Sequence, residues 1–425
     1  MERNSIRAFI SKMNFNVKLV FTFSFLQSVG RGIWMGNVLS AYIFYFSDKS
    51  NITLGQTSLA MGLTMTVFVF PAGYFTDKIR RDIILKIASV IGIASLAVIL
   101  FGNNMVAIFT SLSLWGLFQA LNRPSLESIL ADSVESGRRS RIYSWLHVVR
   151  QIAESIGPFL SALLFIYFGD EWELGILKKV IIVGISISAC SLVSMVFFDD
   201  RKSLGSTSES LEVEDILEGE NNNNSSLGLR NNGKRKLIPY LLVGSNIIIG
   251  IGAGMTIKFF PIFFIEIYNL RPMWVQIIMG LTTVFTALSA LMVQALSLRR
   301  GRPLMIFTAQ LLATLCLFGI AVYPNIWILV PLFIARGALM NAGQPLSRSI
   351  LMDVIPKKSR GKWNSLEAFA WGFFWNFSAL VGGYLVGDSE PYRFRLCFVV
   401  TACVYMVGVI PLLFLIPLVR REKFT

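Results

Sequence analysis

The 425-residue chain has little of what builds reactive centres. It carries one histidine, His147, and four scattered cysteines, Cys190, Cys316, Cys397 and Cys403, all within apolar runs. So few ligands at such spacings exclude a zinc or haem centre and a disulfide framework, and no cofactor or metal is expected. No Gly-x-x-x-x-Gly-Lys-Ser/Thr segment is present, which argues against work driven directly by ATP. Serine, histidine and acid do not gather in any hydrolytic pattern, so the chain does not read as an enzyme. Charge is scarce as well: Asp, Glu, Lys and Arg together make up 15%, with a formal net charge of +14.

Apolar residues fill the space instead, at 54% of the chain with a mean hydropathy of +0.62, far above a soluble domain. Crossing the ~30 Å hydrocarbon layer takes roughly 20 apolar residues as helix. Twelve such runs are present, near 18–46, 52–75, 83–101, 105–131, 142–168, 177–198, 237–266, 272–298, 303–322, 326–352, 364–387 and 395–418. They do not alternate polar with apolar, which excludes strands as the spanning element. The first run is too long for a cleavable signal and reads as span 1. Lys and Arg concentrate before span 1, between spans 2–3, 4–5, 6–7, 8–9 and 10–11, and after span 12. That asymmetry predicts a multi-pass integral membrane protein with both termini in the cytoplasm. The positive charge is then a topology signal. Anionic lipid of the inner leaflet is the expected partner of these loops, and nucleic acid is not.

The chain also repeats itself. Trp115 to Trp145 aligns without a gap on Arg336 to Leu366, an offset of 221 residues. Gly116, Pro124, Ser128, Ile129, Leu130, Asp132, Arg139 and Ser144 meet Gly337, Pro345, Ser349, Ile350, Leu351, Asp353, Arg360 and Ser365. Two similar membrane halves suggest a solute pathway at their interface, opened alternately from either side. Residues 199–236 interrupt the apolar rhythm with an acidic stretch, the run Asn221 to Asn224 and a basic end, and predict a disordered cytoplasmic linker. The organisation expected is a first bundle at 1–198, the linker at 199–236 and a second bundle at 237–425. Asn51-Ile52-Thr53 is a glycosylation sequon beside span 2.

Gly73-Tyr-Phe-Thr-Asp77-Lys78-Ile-Arg80-Arg81 resembles the loop signature of the major facilitator superfamily, Gly-x-x-x-Asp-Arg-x-Gly-Arg-Lys. At +221 stands Gln294-Ala-Leu-Ser-Leu298-Arg299-Arg300-Gly301-Arg302, which keeps Arg-x-Gly-Arg and lacks the aspartate. In span 5, Ala153-x-x-x-Gly157-Pro158-x-x-Ser161-Ala162 resembles the superfamily's antiporter motif, and its partner at +221 ends in Gly382-Gly383. Arg336 with Gly337 resembles a third motif, with Trp115 at its place in the first half. The resemblance implies an all-α membrane protein of the major facilitator fold, twelve transmembrane helices in two pseudo-symmetric six-helix bundles. It also implies a gating loop at Gly73, Asp77, Lys78, Arg81, Arg299, Gly301 and Arg302, tight helix packing at Gly157, Pro158, Gly382 and Gly383, and kinship with drug:proton antiporters.

Ionisable residues inside membrane helices point to function, because burying them unpaired costs several kcal/mol. Arg31, Arg123, Glu127, Arg150 and Glu154 lie in the first half and Lys258 in the second. At ~1.5 Å per residue, Arg31 and Glu154 fall roughly 20 and 18 Å from the cytoplasmic ends of their helices. Glu154, and after it Glu127, are candidate proton carriers, since burial raises a carboxyl pKa and a neighbouring arginine lowers it. Arg123/Glu127 and Arg150/Glu154 are also i,i+4 pairs that could simply lock the bundle. Arg31, Arg123, Arg150, Lys258, Asn341, Gln344, Trp371, Trp375 and Asn376 are candidate substrate-cavity residues, the aromatics and amides suiting an amphipathic organic molecule. The expectation is a monomeric secondary transporter of a small organic solute, coupled to protons, with efflux favoured. A facilitative uniporter or uptake symporter of the same fold, and a non-transporting receptor or scaffold, are the alternatives.

Overall fold

The computed structural model describes residues 13–134, 139–204, 237–355 and 360–419. These residues are helical throughout apart from turns. In chain order the helices are α1 (Phe15–Trp34), α2 (Asn37–Phe46), α3 (Asn51–Lys78), α4 (Arg81–Phe101), α5 (Met105–Asp132), α6 (Arg139–Phe168), α7 (Leu174–Ser194), α8 (Leu237–Ile257), α9 (Phe260–Tyr268), α10 (Pro272–Arg300), α11 (Arg302–Ala321), α12 (Ile326–Ala342), α13 (Gln344–Val354), α14 (Arg360–Val386) and α15 (Phe394–Leu418). Among the described residues, ten segments are long and apolar enough to cross a membrane, and Gly372–Val386 is apolar over a shorter length. A helix is the only open-chain element that satisfies its own backbone in hydrocarbon.

Three expected spans are each made of two helices. Span 1 divides after Trp34 into α1 and α2, and span 7 divides at Lys258 and Phe259 into α8 and α9. Shifted by 221, the first break falls two residues from the second. The duplication therefore preserved an interruption as well as a sequence. Span 10 divides at Gly343, where Pro345 stands in the first turn of α13 and cannot donate to the preceding turn. The linker expected at 199–236 lies outside the described residues from 205 onward.

By packing, the chain forms two units that cut across its halves. Unit 1 is Met1–Trp34, Thr64–Gly157 and Ile182–Gly228; unit 2 is Met35–Leu63, Pro158–Ile181 and Leu229–Thr425. Spans 1, 2 and 5 are thus divided near mid-length and span 6 near its start.

Unit 1 is held by small residues and short polar bridges, as expected where lipid removes the hydrophobic drive between helices. Ser89 donates to the Leu192 carbonyl at 2.7 Å, Ser95 and Ser111 bond each other's carbonyls at 2.7 and 2.9 Å, and Trp34 Nε1 donates to Ser188 Oγ at 3.0 Å. Trp34 also stacks edge-on against Trp115, centroids 5.3 Å apart. On the side of the termini, Arg81 pairs with Asp132 and reaches Asp200 at 3.9 Å. Nearby, buried Asp82 pairs with Arg80 at 2.9 Å and Lys86 at 3.3 Å.

Unit 2 repeats one of these devices. Arg302 pairs with Asp353 at 2.7 Å and with Ser349 Oγ at 2.7 Å. Arg81 and Asp132, each moved by 221, land on Arg302 and Asp353. Phe260, Phe263, Phe264, Phe333, Phe394 and Phe398 interlock by edge and stacked contacts of 4.8–6.2 Å.

On the side away from the termini, unit 2 joins the two sequence halves through reciprocal caps. Asp388, after α14, accepts from Ile52 N at 3.0 Å and Ser50 Oγ at 2.8 Å at the start of α3. Asp170, after α6, accepts from Met273 N at 2.8 Å at the start of α10. Each half thereby caps a helix of the other, satisfying first-turn N–H groups and opposing the positive helix end. Trp172 Nε1 to the Leu270 carbonyl (2.7 Å) and Lys49 to Glu266 (3.4 Å) add to this seal. Asn51 of the sequon is fully buried and donates to the Gly387 carbonyl at 2.9 Å, so its amide is not presented for glycosylation.

Candidate functional site

One close backbone contact organises the charged residues of unit 1. A Cβ on Gly157 of α6 would stand 2.5 Å from Gly32 Cα of α1, and a Cβ on Gly32 would stand 2.9 Å from Gly157 Cα and 3.6 Å from the Glu154 carbonyl. Only glycine at both positions lets the helices meet so closely. Arg31 precedes Gly32, and Glu154 lies one turn before Gly157, so the contact brings this cation and this acid to one level. Unit 2 repeats the device between α8 and α14, where a Cβ on Gly254 would strike Ser378 Oγ and the Trp375 carbonyl. Pro158 inside α6 has no N–H, which leaves the Glu154 carbonyl without its helical donor.

Arg31 sits within electrostatic range of Glu154 and Arg123, and Arg150 within range of Glu127, Arg123, Glu154 and Tyr143. Arg150 is anchored by Ser24 Oγ of α1, 3.3 Å from both Nε and Nη2. α1, α5 and α6 therefore bring all five charged side chains to one face. Arg31, Arg123, Glu127 and Glu154 are exposed and Arg150 is half-buried. Among the described residues no ion pair at salt-bridge distance closes Arg123 on Glu127 or Arg150 on Glu154, so the lock that the i,i+4 spacing allowed is not formed. Five ionisable groups cannot face lipid at this depth, so this face of the unit meets water.

In unit 2, Lys258 occupies the turn between α8 and α9, half-buried. Beside the same break is Arg336 of α12, 5% exposed, which donates to Tyr405 Oη at 2.7 Å and Thr256 Oγ1 at 3.4 Å. Its guanidinium lies 4.9 Å from the Phe260 ring centroid. It thus ties the last turn of α8 to the first of α9. Asn376 is buried against Gly62, donates to the Gly372 carbonyl at 2.8 Å and leaves Oδ1 unpartnered. Asn341 and Gln344 are exposed and bonded to each other at 3.0 Å, and Trp375 is half-buried. The side chains of Trp371 and Asp77 lie outside the described residues.

The loop residues divide by role. Arg81 and Arg302 hold the duplicated ion pairs, Lys78 lies over the Tyr74 ring at 4.5 Å, and Arg299 is exposed. Gly301 adopts φ +95° between α10 and α11, a conformation only glycine enters freely. A Cβ on Gly73 would meet nothing within 4 Å, so close approach is not what that glycine supplies here. Gly382 packs on Met255 and Phe259, and a Cβ on Gly383 would come within 2.6 Å of the Asn51 carbonyl. Sequence reasoning did not single out Asp132 and Asp353 as partners of these arginines, although both stood in the repeat alignment. Nothing in the sequence signalled Asp170, Asp388 or Ser24.

The profile of the Major Facilitator Superfamily matches residues 20–244 and again 242–424. The chain belongs to the major facilitator superfamily. The protein is similar in fold to solved transporters at low identity. The nucleoside transporter NupG is 14% identical with a TM-score of 0.69, covering 95% of this chain and 99% of that one. A bacterial homologue of the iron transporter ferroportin in its inward-facing state is 14% identical with a TM-score of 0.70, covering 94% and 98%. The peptide transporter POT (E310Q mutant) is 13% identical with a TM-score of 0.65, covering 95% and 94%. Comparison with curated proteins found no match. The protein is accordingly a multi-pass integral membrane transporter and not an enzyme, with the major facilitator fold that the resemblance implied.

Proposed function

We propose that the protein is a monomeric, proton-coupled transporter of a small organic solute, working by alternating access, with efflux the favoured direction and both termini cytoplasmic. Its two bundles are the sequence halves, 1–198 and 237–425, joined by the linker. The observation that carries this reading is Glu154: an accessible carboxylate deep in α6, brought to Arg31 by the Gly32–Gly157 contact and not closed into an ion pair. A carboxylate held at the reach of arginines, without being locked to one, can exchange a proton as its neighbours move. Glu127, nearer the terminal side, is the second relay group. Arg31, Arg123, Arg150, Lys258, Asn341, Gln344, Trp371, Trp375 and Asn376 contact the solute, and the basic loops rest on anionic lipid.

The test is proton flux in liposomes loaded with a pH dye, on addition of pooled organic solutes. The parent is expected to move protons when solute is added, and Glu154→Gln to abolish that flux while radiolabelled solute still binds. Solute crossing without proton movement in the parent would replace this reading by facilitated diffusion. Binding without any crossing would replace it by a receptor.

A further inference from the structure

The charges on the unit 1 face do not balance. Three arginines stand against two glutamates, and their neighbours show which cation is in excess. Arg31 is drawn to Glu154 and repelled by Arg123. Arg150 is drawn most strongly to Glu127, repelled by Arg123, and drawn again to Glu154. Arg123 is therefore the like-charged neighbour of both other arginines.

Helix geometry places it on the terminal side of Arg31. Trp34 and Trp115 are in contact, and α1 and α5 run in opposite directions as the first and fourth spans. Arg31 lies about 4.5 Å along α1 from that contact and Arg123 about 12 Å along α5, both toward the terminal side. Arg123 is exposed, and no hydrogen bond or ion pair engages it among the described residues. A net positive charge at this depth is tolerable while water reaches it, and costly once a closing site expels water.

We infer that the transported solute is a small organic anion whose carboxylate or phosphate group docks on Arg123, within electrostatic range of Arg31 and Arg150. The inference rests on the transport reading above and names the chemical class of its solute. A guanidinium suits the task, since its planar fork accepts such groups in two parallel hydrogen bonds. Arg150, already bonded to Ser24, and Arg31, beside Glu154, shape the field around that anion.

The full chain in liposomes of phosphatidylcholine tests this. Radiolabelled monocarboxylates, dicarboxylates and phosphate monoesters are each offered beside the neutral amide or alcohol analogue. At least one anion is expected to enter at ten times the rate of its neutral analogue or more. Arg123→Gln should lower that uptake at least tenfold, and Arg123→Lys should retain more of it than the glutamine variant. The anion preference is read on the parent chain, so it does not depend on either variant folding. Uptake of neutral or cationic solutes without any anion, or anion uptake at the parental rate in Arg123→Gln, overturns the assignment and leaves transport standing. No flux of any solute class overturns both. A melting temperature that follows phosphatidylglycerol content, loses that dependence in Arg123→Gln and ignores every soluble anion would assign the group to lipid, and this too overturns the solute class.

Discussion

Removing the reciprocal caps should loosen the side of the protein away from the termini by a calculable amount. Asp388→Ala takes from α3 the acceptor of Ile52 N (3.0 Å) and of Ser50 Oγ (2.8 Å). Asp170→Ala takes from α10 the acceptor of Met273 N (2.8 Å). Loss of an N-terminal cap costs about 1 kcal/mol in folded proteins. These caps link the first half of the sequence to the second, so the cost falls on opening between those segments. One kcal/mol is about a fivefold change in an opening equilibrium. The double variant should approach about 25-fold if both caps resist the same opening, since energies at well-separated sites add. Hydrogen–deuterium exchange of peptides covering residues 50–56 and 271–277 reads this directly. Each single variant is expected to speed exchange at both helix starts, including the one whose cap is intact. Asp388→Asn, which keeps an acceptor oxygen, should fall between parent and alanine. Acceleration confined to the mutated end would refute a common opening, and no acceleration at either end would refute the caps as a seal.

Gly157→Ala forces a Cβ to within 2.5 Å of Gly32 Cα, and such overpacking costs about 1–3 kcal/mol. Its melting temperature should fall while that of Gly73→Ala, which meets nothing within 4 Å, should hold or rise. In double-mutant cycles by thermal unfolding, Arg81–Asp132 should couple more strongly than Arg302–Asp353. The first pair is three-quarters buried and the second has an aspartate 54% exposed, in the range where surface pairs contribute about 0–1 kcal/mol. Burial, with Glu266, Glu390 and Asp388 nearby, pushes the Tyr392 phenol up to about 12 from its usual 10.0. Its stabilising contribution is present below pH 10.0 and is lost as pH rises toward about 12. Tyr392→Phe should therefore flatten the alkaline fall of the melting temperature in that window. Asn51 should carry no glycan when the chain is made in a glycosylating host, so a glycosidase should leave its gel mobility unchanged.

Much of the fold was legible because a membrane imposes long apolar helices and a duplication leaves a countable offset. The offset alone implied that Arg81 and Arg302 occupy equivalent places, and the ion pairs to Asp132 and Asp353 follow it to the residue. The breaks at Trp34–Asn37 and Lys258–Phe259 were not read from the sequence: Gly36 and Asn37 mark the first and Lys258 and Pro261 the second, but isolated interruptions within long apolar runs do not by themselves end a membrane span. The sequence suggested Gly157 as a packing residue but could not say that its partner is Gly32, because which helices touch is not encoded in any local pattern. Exposure of Arg31, Arg123 and Glu154 was similarly invisible, for periodicity cannot distinguish a face turned to water from one turned to protein. Asp170 and Asp388 carry no local sequence signal of their cross-half acceptor roles, because their partners lie 103 and 336 residues away in the chain.

Pro158 has a consequence for movement. α6 belongs to one packing unit as far as Gly157 and to the other from Pro158 onward. Pro158 cannot donate to the Glu154 carbonyl, so bending at this point has one backbone hydrogen bond fewer to break. Flexure is thus cheapest at the residue whose carboxylate stands among the arginines. A change of curvature there leaves Arg150 and Glu154 at their spacing on the turn below. The charge set can stay intact through a motion that remodels the helix above it.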